Sequence, residues 1–165
     1  MNNEHSTLME AIQSSGYKAA IVVAGGGSGA THALLSHPGA SRFILEVQIP
    51  YSPRARFDYL GETLGHACSE DAAKTLAGRA FERASIFCLT DESRPPILGV
   101  SCTAALKTNR ERKGKDRAYI CIKARKKQVV QDVIFDPDKS RAEQEEHLTA
   151  ELFKTLANFL GIDLK

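Results

Sequence analysis

The sequence predicts a single α/β domain, and three observations support that prediction. The run Ala19–Ala24 is apolar and rich in β-branched residues, which is typical of a strand buried on both faces of a sheet. Further short β-branched runs occur among segments with helical periodicity. The length of 165 residues, 42% of them hydrophobic, suits one hydrophobic core. We therefore expect residues 1–165 to form one domain.

The first half of the chain reads as helix, strand, helix and strand. Residues 4–15 place apolar side chains at helical spacing. The buried strand comes next and ends at a run of glycines. Residues 28–36 are predicted to form a short helix, because Pro38 and Gly39 then stop it. Residues 42–49 form the next predicted strand, which ends at a proline.

The second half begins with a long helix. Ser69 is a suitable N-cap, and alanine, leucine and phenylalanine follow at helical spacing as far as residue 84. Strands are predicted at 85–89, 97–103, 117–123 and 128–135, the last two as a possible hairpin. Ser140 and Glu143 form a capping box for a final helix, whose leucines recur every four residues before Gly161.

The overall charge excludes little, whereas its distribution is uneven. There are 22 Lys and Arg against 20 Asp and Glu, a formal net charge of +2, which does not indicate a nucleic-acid or membrane binder. Residues 107–127 nevertheless hold ten basic side chains and two acidic ones. This segment is interpreted as a solvated surface, a wall of a ligand pocket or a nucleic-acid contact. The near-neutral total and the scarcity of aromatic residues nearby disfavour the last.

The cysteines and histidines predict no metal site. The four cysteines are widely spaced, without a CxxC pair, and no histidines lie at ligand spacing. We expect structural, reduced thiols, no metal and no cofactor. Because no leader opens the sequence and no apolar run is long enough for a membrane span, we expect a cytoplasmic protein without a membrane partner.

The most informative local feature is the glycine loop, which we define as residues 25–29. Gly25, Gly26, Gly27 and Gly29 surround Ser28 between the buried strand and the next helix. Backbone amides in such a loop can converge on a phosphate or carboxylate, and a helix N-terminus adds positive partial charge. The alternative is a tight strand-to-helix turn without a ligand.

Known motifs leave the chemistry of this loop open. No lysine completes a P-loop, whereas Gly25, Gly27 and Ala30 satisfy GxGxxA, with Glu46 as a possible ribose-binding acid. A NAD(P)-binding oxidoreductase-type domain is therefore one hypothesis. Ser28 could instead be a hydrolase nucleophile, with loop amides as oxyanion donors. His32, four residues on, is its nearest candidate base; the alternative for His32 is an exposed helix residue.

Several short pieces, in order, resemble the CinA carboxy-terminal domain family. They are the strand and loop at 22–30, then 38–41, 51–61, 69–83 and 98–103. The resemblance implies a three-layer α/β/α sandwich with a mixed sheet, and nicotinamide mononucleotide amidohydrolase activity. It also implies Ser28 as the nucleophile and Tyr51 as the residue that positions the pyridine ring.

The implied binding residues, apart from the loop glycines, are Ser52, Arg56, Thr103, Arg117 and Arg141. Two departures from the family pattern weaken the implied catalysis. The family loop carries a glutamate that is absent here, and its lysine falls on Arg56, which cannot act as a base.

Three functions are therefore carried forward. The first is hydrolysis of the carboxamide of nicotinamide mononucleotide or a related pyridine nucleotide. The second is a catalytically degenerate nucleotide-binding module, and the third is the oxidoreductase-type domain. The expected partner is a small-molecule nucleotide, and the resemblance implies a homo-oligomer.

Overall fold

A computed structural model describes residues 3–164 and contains one five-stranded mixed sheet. The strands are β1 (Lys18–Ala24), β2 (Ile44–Gln48), β3 (Ile97–Ala105), β4 (Arg117–Lys123) and β5 (Gln128–Ile134), in the order β2-β1-β3-β4-β5. β1 pairs in parallel with β2 and β3, whereas β4 is antiparallel to both of its neighbours. The predicted mixed sheet is confirmed, and so is the hairpin of its last two strands.

Five α-helices cover both faces of this sheet. They are α1 (Asn3–Gln13), α2 (Ser28–Ser36), α3 (Pro53–Leu60), α4 (Glu70–Phe87) and α5 (Arg141–Leu160), with a short 3-10 helix at Ala40–Arg42. α1, α2 and α5 share one core cluster with alternate residues of the central strands, including Ile21, Val23 and Cys102. α4 covers the opposite face, where Ala20 and Val22 pack against its alanines. The result is the expected three-layer sandwich.

The helix caps act where the sequence indicated. Ser69 Oγ accepts a hydrogen bond from Ala72 N at the start of α4. At the start of α5, Ser140 and Glu143 form both halves of a capping box, and Gly161 ends the helix at φ 72°. Each cap satisfies backbone groups that the first or last helical turn leaves unpaired.

Two elements differ from the prediction. The strand predicted at 85–89 is wrong, because α4 continues to Phe87 and Ser85 Oγ donates to Phe81 O within the helix. The sequence has no glycine or proline that would end the helix at residue 84. The prediction also lacked α3, although Ser52 caps it, Pro53 opens it and Gly61 closes it, an ordinary set of helix signals.

Candidate functional site

The glycine loop lies at the carboxyl end of β1, and its glycines have a packing role. Gly25 has φ 83° and Gly27 has φ 97°, both in the left-handed region that favours glycine. A methyl group at Gly25 would lie closer than 3.0 Å to the Ala104 carbonyl oxygen, and one at Gly27 would press on Cys102. These glycines are therefore required for close packing on β3, whether or not a ligand is bound.

The backbone amides of the loop already hold an anion that belongs to the chain itself. Glu145, on the second turn of α5, accepts hydrogen bonds from Gly27 N at 3.0 and 2.9 Å and from Gly29 N at 2.9 Å. The Ser28 hydroxyl lies 3.3 Å from the same carboxylate. The anion-binding geometry predicted from the glycines is thus present, with Glu145 in the position of the anion.

Ser28 is exposed at the first position of α2, where a nucleophile would be accessible. Its hydroxyl partner is Glu145, not His32. The His32 ring lies 3.4 Å from Ser36 Oγ, one turn further along α2. Among the described residues, no lysine or histidine side chain hydrogen-bonds to Ser28, so the candidate His32 is not placed to act as its base.

A cleft of about 460 Å³ opens beside the loop. The residues that line it are Val23, Gly25, Gly26, Ser28, Ile49, Tyr51, Arg141, Ala142 and Glu145. It brings together Ser28, Tyr51 and Arg141, three of the residues expected in one site. The Tyr51 ring is 63% exposed and has Ile49 as an apolar neighbour in the wall. The cleft thus combines an aromatic ring, a hydroxyl and a charge of each sign.

Arg141 holds a charge that no carboxylate neutralises within the described part of the chain. Its guanidinium donates to Lys107 O and Gly25 O, each at 3.0 Å, and lies 3.5 Å from Tyr51 Oη. All three acceptors are neutral oxygens. These bonds fix the guanidinium at the cleft while leaving its charge available for an anionic group.

Six of the expected binding residues do not line the cleft: Gly27 and Gly29, whose amides hold Glu145, and four residues whose side chains have other partners. Ser52 Oγ accepts from Ala55 N as the N-cap of α3, and Arg56 donates to Tyr51 O. Thr103 donates to Ala67 O, which ties the loop before α4 to β3. Arg117 is paired with Asp132 at 2.7 Å and stacks on the Tyr119 ring. Each of these four side chains therefore has a structural partner within the chain.

Glu46 is not free to bind the ribose of a dinucleotide, because its carboxylate is already paired. Both of its carboxylate oxygens accept hydrogen bonds from Arg83 of α4, and Gln48 donates to one of them. The Arg83 guanidinium holds the pKa of Glu46 below its usual value. Since Glu46 pairs across the sheet with Ala20, it belongs to the α4 face, opposite the glycine loop. This geometry removes the acid on which the oxidoreductase hypothesis rested.

The basic segment at 107–127 is not one surface. Its middle forms β4, which runs from Arg117, beside the carboxyl end of β3, to Lys123 near the other end of the sheet. Lys123 and Lys127 lie over the rings of Phe81 and Phe159. The segment is therefore divided into two separate basic regions, and none of its residues lines the cleft described above.

The cysteines are free thiols, as expected. Cys102 and Cys121 are buried, and burial raises the pKa of Cys121 to about 11 and that of Cys102 further still. A thiol with a raised pKa is a weak nucleophile at neutral pH. Among residues 6–164 there is no cluster of three metal-ligating side chains and no helix long and apolar enough to cross a membrane.

Comparison with known proteins identifies the fold. No protein-family model matches the chain, and no curated protein matches it by sequence. Solved structures do match. The competence/damage inducible protein CihA from Agrobacterium tumefaciens superposes with a TM-score of 0.71 at 17% identity, covering 98% of this chain and 96% of that one.

Two further structures agree. A CinA superfamily protein from Escherichia coli superposes with a TM-score of 0.67 at 16% sequence identity. The match covers 96% of this chain and 87% of the Escherichia coli chain. The competence damage-inducible protein A from Klebsiella pneumoniae superposes with a TM-score of 0.67 at 16% sequence identity. The match covers 97% of this chain and 96% of the Klebsiella chain. The chain therefore has the fold of CinA superfamily proteins, as the sequence resemblance implied.

Sequence reasoning missed Glu145, the residue that changes the chemistry of the loop most. The only signal available was its place four residues after Arg141, on the same face of a helix with a clear start. That spacing puts both side chains on one side of α5. It does not reveal that this side faces a loop more than a hundred residues earlier in the chain.

Proposed function

We propose that the cleft binds a pyridine nucleotide, with nicotinamide mononucleotide as the defining probe, and that the chain is a binding module rather than an efficient amidohydrolase. The supporting observation is the Arg141 guanidinium, which is fixed at the cleft by neutral oxygens and pairs with no carboxylate in residues 6–164. A phosphate group would complete the partners of that guanidinium through charge-assisted hydrogen bonds.

The rest of the cleft suits the other parts of such a ligand. Tyr51 and Ile49 offer an aromatic and an aliphatic surface against which a flat pyridine ring can pack. Ser28 and the loop carbonyls supply polar groups that can bind ribose hydroxyls or a carboxamide. The combination of one apolar wall and a few polar groups is typical of small-molecule sites.

The same geometry disfavours efficient catalysis. An amidase needs amide donors aimed at the developing oxyanion, yet Gly27 N and Gly29 N are both engaged by Glu145. Arg56, which stands where the family has a lysine, cannot accept a proton and is bound to Tyr51 O. The two missing elements, a free oxyanion site and a lysine or histidine base, are ones that accelerate acyl transfer strongly.

A second candidate is the amidohydrolase itself, and the hydrogen bond between Ser28 Oγ and Glu145 favours it. In that reaction Glu145 takes the hydroxyl proton as Ser28 Oγ bonds to the carboxamide carbon. The C–N bond then breaks, the nitrogen leaves as ammonia after gaining a proton, and water hydrolyses the ester to the acid. Glu145 would have to release the loop amides before they could hold the oxyanion.

Binding and turnover should be measured side by side on the wild-type chain and three variants. Isothermal titration with nicotinamide mononucleotide tests Arg141→Gln. Arg125→Gln is the matched control, because Arg125 is an exposed arginine between β4 and β5 and lies outside the cleft lining. We expect binding to weaken about 10- to 100-fold in Arg141→Gln, in line with the loss of charge-assisted hydrogen bonds worth about 1.5–3 kcal/mol. Arg125→Gln should keep the wild-type affinity.

An ammonia assay on the same samples separates the two candidates. The binding module releases no ammonia above the background of a no-protein blank. Ammonia release that disappears in Ser28→Ala would establish the amidohydrolase instead. Absence of saturable binding in the wild-type chain, or equal affinity in Arg141→Gln, would contradict the proposed site.

A further inference from the structure

Two opposite charges are fixed at the cleft by the first turns of one helix. Arg141 and Glu145 are four residues apart on α5, and both line the cleft. Arg141 is bound by neutral oxygens alone, while Glu145 is held by two backbone amides and a hydroxyl. Neither charge is cancelled by an ion pair with another described side chain. The cleft therefore presents one positive and one negative charge, each held in place by the glycine loop.

The position of Glu145 determines what the glycine loop can bind. A helix N-terminus with free amides attracts anions, but here a carboxylate occupies those amides. A second anion in the same place would lose the amide hydrogen bonds and would also face a negative charge. The part of the cleft beside Gly27 and Gly29 consequently repels phosphate and carboxylate groups while Glu145 stays in place.

Glu145 can still accept a hydrogen bond from a ligand. A carboxylate has about four acceptor positions on its two oxygens. Within the described part of the chain, Oε1 accepts from Gly27 N, Gly29 N and Ser28 Oγ, whereas Oε2 accepts only from Gly27 N. The Oε2 atom therefore keeps capacity for a donor such as an N–H group, and the half-buried side chain lines the cleft.

We infer that Glu145 is a specificity-determining residue: the cleft takes a ligand with an anionic group at Arg141 and a hydrogen-bond donor or cation at Glu145, and rejects the same ligand when a carboxylate replaces the donor. The inference rests on the proposed function. The inference adds that the cleft accepts an uncharged carboxamide beside Glu145 and does not accept the corresponding carboxylic acid there.

The test compares two ligands that differ only at this group. Nicotinamide mononucleotide and nicotinic acid mononucleotide share the ribose phosphate, so the contribution of Arg141 is the same for both. Isothermal titration of the wild-type chain should give at least tenfold tighter binding of the amide. In Glu145→Gln, which removes the charge and keeps the shape, the ratio should fall to about threefold or less, mainly because the acid binds better.

Glu146→Gln is the matched control, because Glu146 is the next residue on α5 and is exposed to solvent outside the cleft lining. It removes the same net charge and should leave the amide-to-acid ratio at the wild-type value. Thermal melting of both variants verifies that they are folded. If Glu145→Gln does not fold, the ratio of amide to acid affinity of the wild-type chain is measured at low and at high salt. Repulsion between Glu145 and the acid should weaken with salt, so the ratio should fall, and an unchanged ratio would contradict the inference.

The outcomes separate this inference from the proposed function. Equal affinities of the wild-type chain for amide and acid would overturn the role of Glu145 while leaving the nucleotide site intact. A ratio unchanged in Glu145→Gln, or equally reduced in Glu146→Gln, would overturn it as well. Absence of binding of either ligand would overturn both. Amide selectivity lost only in Glu145→Gln is the result expected.

Discussion

Replacing Gly25 with alanine should destabilise the fold strongly, since the loop geometry is dictated by packing on β3. The backbone at Gly25 has φ 83°, and an L-residue there costs roughly 1–2 kcal/mol. The added methyl would also lie closer than 3.0 Å to the Ala104 carbonyl oxygen, a backbone atom of a central strand that cannot rotate away. Overpacking of this kind adds roughly 1–3 kcal/mol.

The sum is about 2–5 kcal/mol, a large part of the roughly 5–15 kcal/mol that stabilises a typical domain. Urea unfolding followed by circular dichroism should therefore show the midpoint of Gly25→Ala about 1–2 M lower than wild type. Gly16→Ala is the control, because Gly16 has nearly the same φ, 82°, with nothing within 4 Å of the added methyl. It should lose only roughly 1–2 kcal/mol.

The comparison separates strain from steric conflict. Gly25→Ala that unfolds at the same urea concentration as Gly16→Ala would refute the claim that β3 packing requires this glycine. A Gly25→Ala chain that fails to fold beside a folded Gly16→Ala chain is the extreme form of the expected result.

Two further predictions concern the helix caps. Ser52→Ala should lower the free energy of unfolding by about 1 kcal/mol in urea titrations and leave nicotinamide mononucleotide affinity unchanged, because the hydroxyl caps α3 outside the cleft; a large loss of affinity would place Ser52 in the site. The backbone and side chain of Ser140 hold the pKa of Glu143 at about 2, below its ordinary 4.5, so this carboxylate contributes stability in full above pH 4.5 and loses it as pH falls toward 2. Melting temperatures between pH 6 and 2.5 should therefore fall less steeply in Glu143→Gln than in wild type, and parallel curves would contradict the role of the capping box.

Local signals in the sequence were sufficient for most of the elements. The buried strand β1 shows itself as a continuous apolar run, and α4 and α5 show themselves through caps and apolar periodicity, because both signals depend on residues within a few positions of each other. The error at 85–89 arose where a short apolar run suits a strand or a helix end equally well. Here the continuing burial of Ala84 against the sheet favoured the helix.

The residues expected in the site were predicted with less success, for a different physical reason. Sequence patterns identify side chains capable of binding an anion, but they do not identify which of these already has a partner. Ser52, Thr103 and Arg117 all have suitable chemistry, and each is engaged elsewhere in the fold. Arg141 is the exception, since the partners that fix it carry no charge.

The sequence by itself determined the α/β class, a glycine loop suited to an anion at the end of a buried strand, and the order of the strands and helices apart from the missed α3 and the wrong strand at 85–89. Only the tertiary structure decided which anion the loop holds. Glu145 is separated from Gly27 by 118 positions, and it reaches the loop because α2 and α5 pack side by side on one face of the sheet. A contact of that range depends on the packing of whole elements, so no local pattern encodes it.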